Sequence, residues 1–316
     1  MKKSDFPPMQ AQPAWKMLIK FVAALFVLLL LVSFIFPTDT NACIARIKVT
    51  GEITYDAPYS LLSPSNANTP DEIISLLKEA DLDERVRAII IEVNSPGGSA
   101  VASKEIFDEI RNLKKPTLAY MTEMAASGGY YISAASTYIV ANPNTLTGSI
   151  GARATFMNYE GLFEKLGLRE ESIKSGELKD IGAGYRNLTD EEREILQSLI
   201  DETFGIFRSD VESARKGKLK DALFRQALDA RILSASQAKR TGLIDEVGGR
   251  RGAIAKANEL AGNKDFADEE KQYEICEFRS EGDFSLFPGL SSELGKSFAG
   301  GFISGLEQRK VSVGYN

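Results

Sequence analysis

The feature of this sequence that most restricts its fold is the apolar run AIIIEV at residues 88–93, in which only Glu92 is polar. β-Branched residues dominate the run, and such residues are enriched in strands. A strand that is apolar at almost every position is typical of a sheet with both faces covered by helices. The run therefore predicts a buried strand inside an α/β layer structure.

Strand and helix patterns alternate on both sides of this run. Apolar periodicity predicts further strands at 44–49, 116–122 and 137–141. Two amphipathic helices are expected to begin at acidic residues, because Asp71 and Asp190 stand where a helix cap is expected. No segment repeats at a period of about 20–50 residues, which argues against a solenoid.

A second constraint is the apolar run at residues 17–36, which contains a single charged residue, Lys20. A helix of about 20 residues spans the roughly 30 Å of a bilayer core, so this run predicts a transmembrane anchor. Lysines are concentrated on its N-terminal side. By the positive-inside rule, residues 1–16 lie in the cytoplasm and residues 37–316 are exported.

The alternative interpretation of this run is a cleaved secretory signal peptide. The run is longer than the apolar core of a standard signal peptide, and Thr40, Asn41 and Ala42 form a poor cleavage site. Cys43 invites a lipoprotein interpretation, but Thr40 stands where such a signal has leucine. An uncleaved anchor is therefore the preferred interpretation.

The charge balance argues against a nucleic-acid partner. The chain of 316 residues carries a net charge of −6 with a pI of about 5.1, and no basic block stands out. Binding to a phosphate backbone depends on clustered lysine and arginine. We therefore expect no nucleic-acid partner.

The sequence contains two cysteines, Cys43 and Cys276. They belong to no CxxC pair, and no histidine is present to complete a zinc set, so no structural zinc site is expected. No other metal and no cofactor is assigned from the sequence. One disulfide could form in an oxidising compartment. Because connectivity cannot be deduced from sequence, unpaired cysteines are the preferred expectation.

The absence of histidine restricts the chemistry of the chain. Histidine is the usual general base near neutral pH, and this sequence has none. An enzyme with this sequence must use carboxylates, lysine, a metal or a cofactor instead.

Two glycine-containing loops follow predicted strands and precede predicted helices. They are NSPGG at residues 94–98 and AASGG at residues 125–129. Glycine lets the backbone turn sharply and approach a ligand, and free N–H groups at a helix start favour an anion. Either loop alone is compatible with an ordinary tight turn. The pair, with Ser127 in the second loop, predicts an oxyanion site beside a serine nucleophile.

A serine nucleophile needs a base, and lysine is the leading choice here because serine–lysine pairs are a known variant of the catalytic triad. A lysine amine must be neutral to accept a proton, and burial favours the neutral form. Spacing alone does not select one lysine among the many in this chain.

Five motifs follow one another along the chain. They are NSPGG, MAASGGYYI at 124–132, LTGSIG at 146–151, KSGELKD at 174–180, and a late motif with Arg231, Gln237, Ala238 and GLID at 242–245. In this order they resemble the SppA-type signal peptide peptidases over residues 44–260. The resemblance implies an α/β fold of the ClpP/crotonase type, with stacked β-sheets flanked by helices, in a peptidase domain at 44–264.

The resemblance also assigns roles to individual residues. It implies that Ser127 is the nucleophile, that Lys179 is the general base, and that Ser149 orients the lysine amine. It further implies an oxyanion hole, formed by the backbone N–H groups of Gly97 or Gly98 together with Gly128.

The substrates implied by the resemblance are signal-peptide remnants and other apolar peptides. Leu146 and Ile150 are candidates to line an apolar groove near Ser127. The resemblance also implies that the chain forms a ring-shaped homo-oligomer. Lys179 at each site then comes either from the same chain or from a neighbouring subunit. The implied location is the bacterial inner membrane, with a single span, the N-terminus inside and the catalytic domain on the extracytoplasmic side.

Two other functions stay open at this point, an acyl-CoA enzyme of the crotonase fold and a non-catalytic membrane scaffold. The first would leave Ser127 and Lys179 without a role, and the second would tolerate Ser127→Ala. Residues 265–316 match no motif, and we expect them to form a C-terminal tail that is disordered or used in assembly.

Overall fold

The computed structural model describes residues 41–55 and 69–279. The predicted anchor at 17–36 and the segment 1–16 before it lie outside the described residues. None of the helices in the described ranges is both long and apolar enough to span a bilayer.

Strands and helices alternate along most of the described chain. The strands are β1 (Cys43–Thr50), β2 (Val86–Ser95), β3 (Thr117–Ala126), β4 (Tyr138–Ala141), β5 (Leu146–Gly148), β6 (Ile232–Ser234), β7 (Glu246–Val247) and β8 (Glu274–Phe278). The helices are α1 (Pro70–Leu82), α2 (Ala100–Asn112), α3 (Gly128–Ala134), α4 (Glu160–Leu166), α5 (Asp190–Ala214), α6 (Asp221–Ala227), α7 (Ala235–Thr241) and α8 (Arg250–Leu260). Two short 3₁₀ turns add Glu177–Asp180 and Glu269–Lys271.

The strands of the described residues form one mixed sheet that branches at β3. Its main path runs β6-β5-β3-β2-β1-β8, and the pairing is parallel except between β5 and β6. Residues 118–121 of β3 pair with β4, and residues 124–126 pair with β5. Because one long strand serves two neighbours in succession, the described residues form a single branched sheet rather than the stacked sheets expected.

Both faces of β2 are buried, as the run at 88–93 predicts. Ile89, Ile91 and Val93 pack with residues of α1, α2 and α3 on one face. Ala88 and Ile90 pack with residues of α8 on the other. Helices on both faces leave the carboxyl ends of the parallel strands as the edge where loops can carry chemistry.

Threonines, rather than the predicted aspartates, cap the helices α1 and α5. The Thr69 side chain accepts a backbone N–H of the first turn of α1 at 3.3 Å. At α5, Thr189 and Glu192 form a reciprocal capping box. Asp71 and Asp190 lie inside the first turns, where a negative charge still interacts favourably with the helix dipole.

Strand β8 pairs in parallel with β1 and lies at one edge of the sheet. It falls inside the segment 265–316 that was expected to be a tail, so the sheet extends past residue 264. A disulfide joins Cys43 in β1 to Cys276 in β8, with a Cα–Cα distance of 5.9 Å. The expectation of unpaired cysteines is therefore wrong, because strand pairing brings together two residues that are 233 positions apart.

Residues 151–191, named here the exposed segment, contain no buried residue. The segment includes α4 and the turn Glu177–Asp180. Several of its large apolar side chains face solvent, among them Met157 at 80% exposure and Ile173 at 99%. Exposed apolar side chains gathered in one segment are typical of an interaction surface.

Candidate active site

The two glycine-containing loops meet at the carboxyl ends of β2 and β3, which are parallel neighbours. A Cβ atom added to Gly97 would lie 2.6 Å from the backbone nitrogen of Gly128 and 2.8 Å from Cβ of Ser127. Gly97 also has a φ of +104°, which side chains rarely adopt. Glycine at this position therefore allows the first loop to touch the backbone of the second.

Ser127 occupies a strained backbone conformation between β3 and α3. Its φ is 52° and its ψ is −122°, a combination that residues with a Cβ atom rarely adopt. The conformation is held on both sides, since the Ser127 N–H donates to the Gly148 carbonyl at 2.9 Å and the Tyr131 N–H donates to the Ser127 carbonyl at 2.9 Å. Such strain is typical of functional residues when the surrounding fold enforces it.

Ser149 repeats this arrangement on the neighbouring strand. Its φ is 53°, and its N–H donates to the Arg231 carbonyl at 2.9 Å. Ser127 follows Ala126, Ser149 follows Gly148, and these two preceding residues are paired in the β3–β5 ladder. The fold therefore brings the predicted nucleophile and the predicted orienting serine to adjacent positions.

Among the three predicted oxyanion donors, Gly98 and Gly128 have available N–H groups. The Gly97 N–H donates to the Ser95 hydroxyl at 3.1 Å, and Ser95 is fully buried. In the described part of the chain, the backbone N–H groups of Gly98 and Gly128 donate no hydrogen bond. A Cβ atom added to Gly128 would lie 3.3 Å from the Gly98 nitrogen. The two available donors are therefore close neighbours beside Ser127.

The predicted base, Lys179, lies outside the strand ends that carry Ser127 and Ser149. It lies in the turn Glu177–Asp180 of the exposed segment, and its side chain is exposed. Within the described ranges, no hydrogen bond joins Lys179 Nζ to Ser127 or Ser149. Lys179 instead lines an open depression that it shares with Glu191 of α5. Both arrangements left open by the sequence, a lysine from the same chain and a lysine from a neighbouring subunit, therefore stay predictions.

The helix that follows the nucleophile is anchored through Tyr131. Its hydroxyl donates to the Asp210 carboxylate of α5, and its ring stacks on Phe207 with centroids 4.2 Å apart. Phe107 of α2 lies against the other side, at 5.0 Å between centroids. Burial, together with the hydrogen bond to Asp210, raises the pKa of Tyr131 well above its ordinary value, so the hydroxyl remains a donor. These contacts hold α3 in place beneath Ser127.

The two predicted groove residues have different environments. Ile150 is 1% exposed and belongs to the core, so it does not line a groove. Leu146 is 42% exposed on β5, and Ile232 of β6, which the sequence did not single out, is 55% exposed. Gly148 pairs with Ile232 in the antiparallel ladder, so Leu146 and Ile232 are diagonal neighbours on one face. Only the pairing of two three-residue strands reveals this patch.

Metal chemistry has no candidate ligand set in the residues that the structure describes. Within those ranges, no group of three or more cysteine, aspartate or glutamate side chains is arranged to hold an ion. The chemistry available here is that of a serine hydroxyl beside two backbone N–H donors.

Two family models match this chain. The model described as Peptidase family S49 matches residues 109–264. The model described as Clp protease matches residues 45–147. Ser127, Ser149 and Lys179 all lie within the first match, and both matches fit an α/β domain with helices flanking the sheet.

Similar proteins carry protease names. A candidate protease of Methanocaldococcus jannaschii is 36% identical over 255 residues, which are 80% of this chain and 79% of the relative. A candidate signal peptide peptidase SppA of Enterococcus faecium is 36% identical over 213 residues, 66% of this chain and 61% of the relative. A solved mutant of a membrane-bound stomatin-specific protease matches with a TM-score of 0.47 and 18% identity, covering 76% of this chain and 99% of that one.

Proposed function

This chain belongs to peptidase family S49 and is a serine peptidase, and we propose that it is a membrane-anchored endopeptidase with Ser127 and Lys179 as its catalytic dyad. The observation that carries the proposal is the meeting of two free backbone N–H groups, those of Gly98 and Gly128, beside a strained serine. In a chain without histidine, a lysine amine is the base that completes this site.

The proposed reaction follows from this geometry. Ser127 Oγ attacks the carbonyl carbon of a peptide bond, and its proton passes to the neutral amine of Lys179. The N–H groups of Gly98 and Gly128 stabilise the oxyanion of the tetrahedral intermediate. The lysine then protonates the leaving amine, and water hydrolyses the acyl-enzyme by the reverse sequence. Ser149 hydrogen-bonds the amine of Lys179 and orients it.

The lysine comes from a neighbouring copy of the chain in this proposal. Lys179 lies in the exposed segment, where several large apolar side chains face solvent in the described structure. A homo-oligomer, such as a ring, would bury these side chains and bring Lys179 of one subunit towards Ser127 of the next. Burial at such an interface would also favour the neutral form of an amine.

The proposed substrates are apolar peptides, including the remnants of cleaved signal peptides. Leu146 and Ile232 present an apolar patch on β5 and β6, directly before the strand end that carries Ser149. A relative named as a signal peptide peptidase agrees with this substrate class. We propose that the patch binds an apolar side chain next to the cleaved bond.

The proposed location is the outer side of a bacterial inner membrane, with residues 17–36 as a single span and the N-terminus inside. The charge asymmetry around this run supports that topology. The disulfide between Cys43 and Cys276 supports it independently, because disulfides persist in oxidising compartments and are rare in the cytosol.

Hydrolysis of internally quenched apolar peptides by the full-length chain in detergent tests this function. We expect Ser127→Ala and Lys179→Ala each to lower kcat by about 10⁴-fold or more, because the two groups act as a unit. The matched controls Ser213→Ala and Lys216→Ala change exposed residues and should leave kcat unchanged.

Two outcomes would contradict the proposal. Near wild-type hydrolysis by Lys179→Ala would remove the proposed base. Failure of a fluorophosphonate to label Ser127 in the wild-type chain would favour an acyl-CoA enzyme or a scaffold, since neither needs a reactive serine.

A further inference from the structure

We infer that Arg186 is a positioning residue for Lys179, because its guanidinium clamps the turn that carries the lysine onto the start of α5. The clamp consists of Asp180, Arg186 and Glu192. This inference rests on the proposed role of Lys179 as the general base, and it adds the device that holds that base in place.

The guanidinium of Arg186 makes a two-point contact with each carboxylate of the clamp. Towards the turn, its Nη2 donates to Asp180 Oδ1 at 2.8 Å and its Nε donates to Asp180 Oδ2 at 3.2 Å. Towards α5, its Nη1 donates to Glu192 Oε2 at 2.8 Å and its Nη2 donates to Glu192 Oε1 at 2.5 Å. Only the planar fork of an arginine can bind two carboxylates in this way.

Glu192 is the fixed end of the clamp. Its side chain is 2% exposed, and it is the one buried residue in the described range 151–206. A buried carboxylate is unfavourable unless it is paired, and Arg186 supplies the pairing. Hydrogen bonds from Arg186, and then from the Thr189 N–H, lower the pKa of Glu192 to about 2. The carboxylate is therefore charged throughout the neutral range.

Asp180 is the end of the clamp that belongs to the turn, and it follows Lys179 directly in sequence. Besides Arg186, its carboxylate accepts hydrogen bonds from Lys174 Nζ and from the Tyr185 hydroxyl, each at 2.6 Å. Lys174 also donates to the Glu177 carbonyl at 2.8 Å and so holds the first residue of the same turn. Contacts from Arg186, and then from Lys174 and Tyr185, keep the pKa of Asp180 well below its ordinary value.

No core packing competes with these contacts for control of the turn. Every residue from 151 to 191 is at least partly exposed, and a single 3₁₀ turn is weakly stable by itself. The position of the Lys179 backbone therefore depends on its neighbour Asp180, and through Asp180 on Arg186. A shift of about 1 Å in a catalytic group can cost about 100-fold in rate.

Steady-state hydrolysis of an apolar peptide by the full-length chain tests the clamp. We expect Arg186→Met to lower kcat about 100-fold, the cost of a misplaced catalytic group, and to leave KM within about twofold. Arg186→Lys keeps the positive charge but not the planar fork of the guanidinium. Its kcat should therefore be about tenfold higher than that of Arg186→Met. Arg193→Met is the matched control, because Arg193 is an exposed arginine in the first turn of α5 without a side-chain partner in the described residues. The kcat of this variant should equal that of the wild type.

The outcomes separate the clamp from the proposed function. If Lys179→Ala is inactive and Arg186→Met keeps kcat within about threefold of the wild type, the clamp alone is overturned. If Lys179→Ala is active, the dyad fails and the clamp fails with it. Thermal unfolding of each variant shows whether the core is intact. Should Arg186→Met fail to fold, Asp180→Asn decides the question, and an unchanged kcat in that variant would overturn the inference.

Discussion

The backbone N–H of Ser127 donates to the carbonyl oxygen of Gly148 at 2.9 Å and so joins the ends of two neighbouring strands. Gly148 is the last residue of β5, and Ser149 follows it with the same positive φ as Ser127. The strained geometry of both serines is therefore enforced by the strand ladder behind them. A site positioned by paired strands is held more precisely than one carried by loops alone.

The close approach of the two loops predicts a strong effect of Gly97→Ala. The added Cβ would lie 2.6 Å from the Gly128 nitrogen and would push an oxyanion donor away from Ser127. We expect kcat for peptide hydrolysis to fall by about 100–1,000-fold, as for loss of one oxyanion donor. Gly252→Ala in α8 is the control, because an added Cβ there meets no atom within 4 Å. Equal kcat values for the two variants would show that the loop contact has no role in the reaction.

A dyad shared between subunits predicts that two inactive variants complement each other. Ser127→Ala retains the lysine and Lys179→Ala retains the serine, so a mixed oligomer contains some sites with both groups. After the two chains are dissociated, mixed in equal amounts and reassembled, we expect about a quarter of wild-type activity from random assembly of a symmetric oligomer. A mixture that stays as inactive as its components would argue for a dyad within one chain.

The buried pair Arg215–Asp245 predicts a pH-dependent stability. Arg215 is fully buried and donates to the Asp245 carboxylate at 2.8 and 3.0 Å. Burial acts to raise the pKa of Asp245, but hydrogen bonds from Arg215 and Lys218 outweigh it and lower the pKa below the ordinary value of 3.8. A depressed pKa contributes stability that is complete above pH 3.8 and is lost as the pH falls through the lower, folded-state pKa.

We therefore expect Asp245→Asn to lower the free energy of unfolding at pH 7 by about 3–5 kcal/mol, because Arg215 is left buried without a counter-charge. The difference from the wild type should shrink in strong acid. Urea unfolding at pH 7 and at pH 3 measures both effects, with Lys218→Met as the surface control that costs at most about 1 kcal/mol. A difference that does not depend on pH would contradict the assigned pKa direction.

The disulfide between β1 and β8 predicts a measurable loss of stability on reduction. Cys43 and Cys276 close a loop of 233 residues, and such cross-links restrict the unfolded chain. Replacing both cysteines by serine should lower the free energy of unfolding by about 2–5 kcal/mol. Added reductant should have the same effect on the wild type and none on the double variant. Detection of two free thiols in the denatured, unreduced wild-type chain would exclude the bond.

Local patterns predicted the central part of the fold. The run at 88–93 lies inside β2, the expected strand at 116–122 overlaps β3, and the expected long helix is α5, although Thr189 rather than Asp190 caps it. Each of these elements has enough residues for a periodic pattern to show. The nucleophile loop could be predicted for the same reason, since it lies between a long strand and a helix start.

Features that depend on pairing over long distances could not be predicted. β5 has three residues and lies in a stretch rich in glycine. Its alternation of apolar and polar residues is therefore too short to predict a strand. The partner of β8 is the first strand, and nothing local in Cys276 indicates that register. The same limit applies to Lys179, because sequence motifs assign it a role without saying which copy of the chain it serves.

The position of β8 has a consequence for how this protein is made. Among the strands of the described residues, β1 is the first to leave the ribosome, yet β8, its neighbour on one side, is the last to be synthesised. Until that strand emerges, the growing polypeptide presents an unpaired row of N–H and C=O groups that invites wrong partners. Chaperone protection should therefore matter most during the interval between these two events, and a chain released before Phe278 would keep its open edge permanently.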